Sequence, residues 1–311
     1  MSGVSSNIQV GRVEPALYLE RLETMLSPLR DTDYYPGLWR SYTDIQRFDH
    51  HLHIIAPHVS LAGKSVLDMG AGTGGLLLAC QQRGAARLVG VEVSQELHEL
   101  AQLRLISTGI ESLLTDGLTV PLPDSSFDVI FSIHTIEHAQ WALRYLSEIA
   151  RLLKPSGVVL LSCPNRIWPH EPHANLPFLP YLPMWLSKKL CYWRNQSMRL
   201  SPRIKRQYYT GTLLEHYFSF FGVRRLCHRV GLDFIEINHP ARFDAVPEVS
   251  FGAWGETHLR FEKAFNALNR TLIHDRIAPY VRAHPLSHVT HWLAILLSWE
   301  ICGVLRKPTI A

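Results

Sequence analysis

Two sets of residues in this 311-residue chain could do chemistry. One is a glycine-rich turn flanked by acids, and the other is histidine paired with glutamate. In Val66-Leu67-Asp68-Met69-Gly70-Ala71-Gly72-Thr73-Gly74-Gly75 an apolar run ends in a turn that Leu76-Leu77-Leu78-Ala79-Cys80 continues as a helix. Glycines at Gly70, Gly72 and Gly74 let the backbone turn tightly and approach a ligand, and the free N–H groups of the helix start face the same spot. This is a nucleotide-binding turn. Gly70-x-Gly72-x-x-Gly75 also satisfies the dinucleotide fingerprint, so the turn alone does not name its ligand. The second set begins with His134-x-x-Glu137-His138, which has the spacing of a zinc-peptidase motif. It begins right after an apolar strand, a context that argues against that chemistry. His170, Glu171 and His173 form a further polar cluster in a proline-rich loop.

Acids follow the glycine turn in order. Glu92 closes Arg87-Leu88-Val89-Gly90-Val91-Glu92, where a carboxylate can accept hydrogens from both ribose hydroxyls. Asp116 in Leu113-Leu114-Thr115-Asp116-Gly117 is placed to take an adenine amino group, with the backbone from Gly117 to Leu118 beside it. Glu92 is common to dinucleotide and sulfonium cofactors, so both stay open on the residues alone. Asp68 would orient the turn or meet a ligand ammonium through water, and Ser132 ends the strand Phe127-Asp128-Val129-Ile130-Phe131-Ser132 beside the same edge.

Four motifs in order carry a resemblance: VLDMGAGTGG, the acid at Glu92, LTDG with LPDSSFDVIFS, and LLKPSGVVLLS at 152–162. Over roughly residues 40–165 the chain resembles the class I methyltransferases, in the type 11 group related to ubiquinone and small-molecule enzymes. The resemblance implies S-adenosylmethionine as cofactor, with Asp68, Gly70, Gly72, Gly74, Glu92, Asp116, Gly117 and Ser132 around it. It also implies leading helices that cover the cofactor. His134, His138 and His173 are the candidate bases or acceptor-positioning groups. In quinone O-methyltransferases of this group the segment matching 134–138 supplies carboxylate and imidazole ligands to a divalent ion. Here His134 stands where a carboxylate is usual, so no metal is expected. A loop with the Pro164-Asn165-Arg166 start and the His173-x-x-Leu176-Pro177-Phe178 core resembles inserts in bacterial methyltransferases of cell-surface or lipid-like acceptors. The expected reaction is O-methylation of a small-molecule, lipid-linked or glycan acceptor. An NAD-dependent oxidoreductase on the same turn, or a scaffold that keeps the fold without turnover, are the rivals.

The elements that must position these groups follow from periodicity. Strands are expected at 65–69, 87–92, 112–115, 127–132 and 157–162, alternating with helices at 75–83, 94–107 and 137–153. That alternation defines an α/β fold with a doubly wound, mostly parallel seven-stranded sheet. Leu143, Leu146, Ile149, Ala150 and Leu153 mark the expected buried face of the last helix, which Lys154-Pro155-Ser156-Gly157 would stop. Helices at 14–30 and 38–57 lead into a core at 61–163, so residues 1–60 read as a helical cover. Residues 164–207 read as a proline-rich, aromatic and basic substrate lid, 208–239 as a return to the core with a helix near 208–230 and a strand at 232–237. A helical insertion at 240–299, with helices at 256–282 and 286–299, precedes a terminal strand and tail at 300–311 that pairs antiparallel with the preceding strand.

Composition narrows the partners. Net charge is +4 with 47% apolar residues, which supports a sizeable core and gives little general pull on nucleic acid. Locally, residues 172–214 hold no acid and seven basic side chains. Tyr181, Trp185, Tyr192 and Trp193 are interleaved with Lys188, Lys189 and Arg194. Aromatics with cations suit an anionic membrane surface contacted through 181–206, or an anionic lipid or glycan. Five scattered cysteines without a C-x-x-C pair argue against a disulfide framework. Trp292–Trp299 is too short to span a bilayer. With no basic-then-apolar leader at the N-terminus, the expected location is the cytoplasm, at or near the inner membrane face.

Overall fold

The computed structural model describes residues 14–31, 35–168, 170–171, 176–197, 215–237 and 300–308. Its centre is a seven-stranded sheet of β1 (Ser65–Met69), β2 (Arg87–Glu92), β3 (Glu111–Leu114), β4 (Phe127–Ile133), β5 (Leu153–Pro164), β8 (Asp233–Ile237) and β9 (Glu300–Arg306). The order across the sheet is β3-β2-β1-β4-β5-β9-β8. The first five strands pair in parallel, and β9 runs antiparallel to both β5 and β8. The expected seven-stranded, mostly parallel sheet is therefore present, with the terminal strand seated between its neighbours rather than at the edge. A separate two-stranded ribbon joins β6 (His170–Glu171) to β7 (Leu176–Pro177).

The inner strands β1, β2, β4, β5 and β9 are mostly apolar because both faces are covered, whereas the edge strands β3 and β8 carry polar residues and are less buried. Leu67, Met69, Val89, Val91, Val159, Leu161 and Leu305 point to one face. There they meet Tyr145, Leu146, Ile149 and Leu152 of α6 (Ala142–Leu152), and Val223 and Cys227 of α8 (Phe220–Arg229). Val66, Leu88, Val129, Phe131, Val158, Leu160 and Val304 point to the other, against Leu52 and Ile55 of α3 (Asp49–Ile55) and Leu76–Ala79 of α4 (Gly75–Gln82). The two-residue period of a strand divides these sets, so register and burial specify one another.

The leading helices pack elsewhere. Tyr18, Leu22, Met25 and Leu26 of α1 (Ala16–Leu26) are buried with Leu100 of α5 (Gln95–Arg104). The expected helix at 38–57 is broken into α2 (Tyr35–Thr43), a 3-10 turn (Gln46–Phe48) and α3. Asp44 Oδ1 accepts from Gln46 N–H at 2.9 Å, a side-chain turn that competes with helix continuation. Residues 14–30 likewise divide into α1 and a 3-10 turn at Ser27–Leu29, with Pro28 at its start.

Several boundaries move. The helix expected at 137–153 is a 3-10 turn (Ile136–His138) followed, after extended Ala139, by α6. Its buried stripe is Ala142, Tyr145, Leu146, Ile149 and Leu152, so Leu143 and Ala150 lie at the margin and Leu153 already belongs to β5. Lys154–Gly157 does not form a separating turn. It continues β5, and the register shift between Phe127 and Val129 absorbs the irregularity. The insert contains a regular helix, α7 (Met184–Ser197), and residues 215–219 reach the core through a bridge between Asn165 and Phe218 instead of extending α8. The expected helices at 256–282 and 286–299 lie outside the described residues, as does the 208–214 part of the helix expected near 208–230. All five cysteines are buried.

Candidate active site

The glycine turn lies at the carboxyl edge of β1, with β4 beside it. At Gly70 the backbone is left-handed (φ 93°), and a Cβ there would stand 2.4 Å from Thr135 Oγ1. The turn and the 134–138 loop are thus in contact, and only glycine permits it. Gly72 differs. It is also left-handed (φ 55°), but a Cβ on it would meet nothing within 4 Å, because this position opens onto a cavity of about 230 Å³. Gly74 caps α4 and abuts Leu105, so its smallness serves packing.

The cavity is lined by Asp68, Gly70 to Thr73, Gly75 and Leu76 from the turn, and by Ile133 and His134 from the end of β4. Ser41, Tyr42, Arg47 and Phe48 reach it from the leading helices, and Arg104 from α5. The cover expected from sequence therefore supplies wall residues that pattern reading did not single out. Its attachment is polar and buried. Arg104, 1% exposed, donates to both Glu14 carboxylate oxygens, to Thr73 Oγ1 at 3.0 Å and to the Thr43 carbonyl. Tyr18 donates to the Tyr42 carbonyl at 2.6 Å, and its oxygen lies 3.3 Å from Thr73 Oγ1. A basic residue ending an amphipathic helix reads as exposed from sequence, so no local signal marks Arg104.

The acids take distinct positions. Asp68 is 4% exposed and faces the cavity; burial first, and then the charge of Glu92, push its carboxyl up to about 8. Glu92 accepts from Gly72 N–H through Oε2 and from Val93 and Ser94 N–H through Oε1, each at 2.8 Å. Three of about four carboxylate acceptor positions are thereby used on backbone, which clamps the glycine turn to β2. Asp116 is exposed and accepts from Leu118 and Thr119 N–H, which hold its carboxyl below the usual range. Gly117 follows in a left-handed conformation (φ 70°). Neither lines the cavity described above. Ser132 is fully buried, its hydroxyl 2.8 Å from the Tyr145 phenol, which also donates to the Met69 carbonyl. Ser132 does not line the cavity, and Tyr145, unmarked by sequence, links α6, β4 and β1.

The histidines separate. His134 lines the cavity, with left-handed backbone (φ 51°) and its N–H donated to the Ser162 carbonyl. Nδ1 is 3.5 Å from Glu137 and Nε2 is 3.6 Å from Glu300. Glu300 opens β9 and is 1% exposed; in sequence its only signal is an acid between two apolar runs. His138 ends the 3-10 turn, donating its N–H to the Thr135 carbonyl, and does not line this cavity. His173 lies outside the described residues. Among the described residues no group of three or more His, Cys, Asp or Glu side chains is arranged to hold a metal ion.

A sheet of this order with a glycine turn after β1 and an acid after β2 defines the class I methyltransferase fold, whose cofactor is S-adenosylmethionine. Residues 67–161 match the methyltransferase domain family, and that part of the chain is such a domain. A ubiquinone biosynthesis O-methyltransferase of Stutzerimonas stutzeri (strain A1501) is 34% identical over 116 residues, covering 36% of this chain and 49% of that protein. An ajmaline N-methyltransferase of Rauvolfia serpentina is 30% identical over 102 residues, covering 32% of this chain and 35% of that one. The chain thus spans half or less of the length of these curated relatives. A solved S-adenosylmethionine-dependent methyltransferase of Mesorhizobium loti has a TM-score of 0.50 at 14% identity, covering 85% of this chain and 99% of that one. At that identity the likeness is one of fold.

Proposed function

We propose that the chain transfers a methyl group from S-adenosylmethionine to an oxygen of a small-molecule, lipid-linked or glycan acceptor. The observation that carries this reading is the cavity itself, where open Gly72, buried Asp68 and His134 meet under a cover of Ser41, Tyr42, Arg47 and Phe48. The residues fit the cofactor chemically. Gly72 leaves the space a backbone-hugging ligand needs, and Asp68 offers a carboxyl that an ammonium group would ionise. Glu92 keeps about one acceptor position for a ribose hydroxyl, and Asp116 with Gly117 stands at the next strand end for the adenine. The bound cofactor supplies an electrophilic methyl on a sulfonium. The protein's part is to align an acceptor oxygen with it, exclude water and remove a proton.

The match of residues 67–161 to the methyltransferase domain family favours this over NAD-dependent oxidation on the same turn. Relatives named for O- and N-methylation leave the acceptor atom to this chain's own residues. Oxygen is favoured by the histidine-rich surroundings. Calorimetry tests the cofactor: S-adenosylmethionine should bind and NAD should not compete, and tight NAD binding without S-adenosylmethionine binding sinks the reading.

A second observation favours an acceptor at a membrane surface. On α7, Ser187 and Cys191 are buried while Trp185, Lys189, Tyr192 and Trp193 are exposed, both tryptophans at 68%. Residues spaced i, i+4, i+7 and i+8 form one face, and that face pairs aromatic rings with a cation, as interfacial helices do. No helix among the described residues is long and apolar enough to cross a membrane.

A further inference from the structure

His134 sits between two buried carboxylates that come from different parts of the fold. Nδ1 is 3.5 Å from Glu137 Oε1, on the turn that follows it, and Nε2 is 3.6 Å from Glu300 Oε2, at the start of β9. Both glutamates are 1% exposed, whereas the imidazole is 28% exposed toward the cavity. A neutral imidazole has one N–H and one lone pair. In that form one ring nitrogen would turn a lone pair toward a carboxylate, which the low dielectric of a buried site makes costly. Only the doubly protonated ring suits a carboxylate at each nitrogen.

We infer that Glu137 and Glu300 fix His134 as an imidazolium at neutral pH, so that in the proposed methyl transfer it is a positioning cation at the cavity wall and not the general base. Asp68, on the neighbouring strand, is held largely protonated below about 8, and burial pushes the Cys163 thiol and Tyr145 phenol upward, so at neutral pH the negative charge beside the ring comes from the two glutamates and not from these groups. Arg47 and Arg104, which line the cavity from the cover side, work against a further cation there. Burial by itself pulls the His134 ring toward neutrality, but Glu300 and Glu137 outweigh it and raise its value to about 10. The left-handed backbone costs about 1 kcal/mol or more for a residue with a Cβ. It is the conformation that brings the ring between the two acids. Removal of the acceptor proton then falls to another group, His138 being the nearest histidine in sequence, or the acceptor enters ionised.

The inference rests on the methyltransferase reading for its meaning but not for its test. In the full chain, the histidine ring signals are followed by NMR across pH, and His134→Asn, a residue tolerant of this backbone, identifies the His134 signal by its loss. The His134 ring should keep the imidazolium shift from pH 6 to 8.5. Glu300→Gln and Glu137→Gln should each lower its proton affinity at least tenfold, seen as a midpoint shift of one pH unit or more. A wild-type midpoint below pH 7, or a midpoint unmoved in both glutamine variants, overturns the inference. The wild-type titration decides the matter even if either variant fails to fold. Calorimetry with S-adenosylmethionine on the same wild-type sample separates the two claims: absent binding removes the methyltransferase reading and leaves the protonation state of His134 as measured.

Discussion

Asp68 is where folding and binding pull in opposite directions. Its carboxyl ordinarily titrates at 3.8 and is raised to about 8 in the folded chain. The folded state therefore holds a proton that the unfolded chain releases, and stability falls as pH rises from about 4 to about 8, at up to about 1.4 kcal/mol per pH unit from this group. A ligand ammonium needs the ionised form, so cofactor affinity should rise over the same range and binding below pH 8 should release a proton. Calorimetry in two buffers of different ionisation enthalpy reads that proton directly; equal heats in both would remove Asp68 from the site. Asp68→Asn should flatten the slope of stability against pH while lowering affinity at least tenfold. Gly72 makes a simpler case. Gly72→Val should abolish cofactor binding by filling open space, and cost about 1 kcal/mol or more in stability from its left-handed backbone. Glu92→Ala should cost both, since Gly72, Val93 and Ser94 lose one acceptor together, on the order of 1–3 kcal/mol by denaturation. Asp68, the glycines and Glu92 were legible because strand-end acids and glycine turns are local patterns. Glu300 was not, since only the pairing of β9 with β5 brings it to His134.

At the scale of elements, the cover is held by a buried ion pair rather than by apolar contact alone. Arg104 on α5 reaches Glu14 before α1, Thr73 in the glycine turn and the carbonyl of Thr43 at the end of α2. Removing one partner of such a pair leaves the other charge stranded, at roughly 3–5 kcal/mol. Arg104→Met should show that loss in urea unfolding and speed proteolysis of the leading helices; an unchanged midpoint would mean that apolar packing around Leu22 and Leu100 holds the cover by itself. The sheet was readable almost strand for strand because its inner strands are buried on both faces and its strands are short runs bounded by turn residues. The helix boundaries were not. The break after α2 depends on a side-chain turn at Asp44, and the late start of α6 follows no capping residue, Trp141 preceding it without a side-chain bond. Tyr145 belongs to the same lesson: it lies outside the buried face expected from sequence, and only packing shows its phenol bridging Ser132 and Met69. Tyr145→Phe should cost about 1–2 kcal/mol with little change in fold.

Across the whole molecule, the insert is wired to the site. Lys188 on α7 pairs with Glu215 at 2.7 Å, and the backbone N–H groups of Glu215 and His216 donate to the Glu137 carbonyl. Glu137 is in turn one of the acids on His134. A surface engaged by α7 is thus connected, through one ion pair and one short segment, to the wall of the cavity. If that surface is an anionic membrane, exposed Lys189 contributes about 1 kcal/mol, and salt should weaken the attachment because exposed charges are screened beyond about 8 Å at physiological ionic strength. Trp185 and Trp193 would add on the order of 2 kcal/mol each where their rings leave water. The direct measurement is co-sedimentation with phosphatidylcholine vesicles, with and without phosphatidylglycerol, across a salt series. Wild type should bind the anionic vesicles and release with salt, Lys189→Gln should bind several-fold more weakly, and a Trp185→Ser, Trp193→Ser double variant should lose binding at every salt concentration. Cofactor affinity should be unchanged in both, since none of these three residues lines the cavity. Equal partitioning of wild type and the double variant would assign the aromatic face of α7 to a protein or to the acceptor itself, and the membrane reading would be given up.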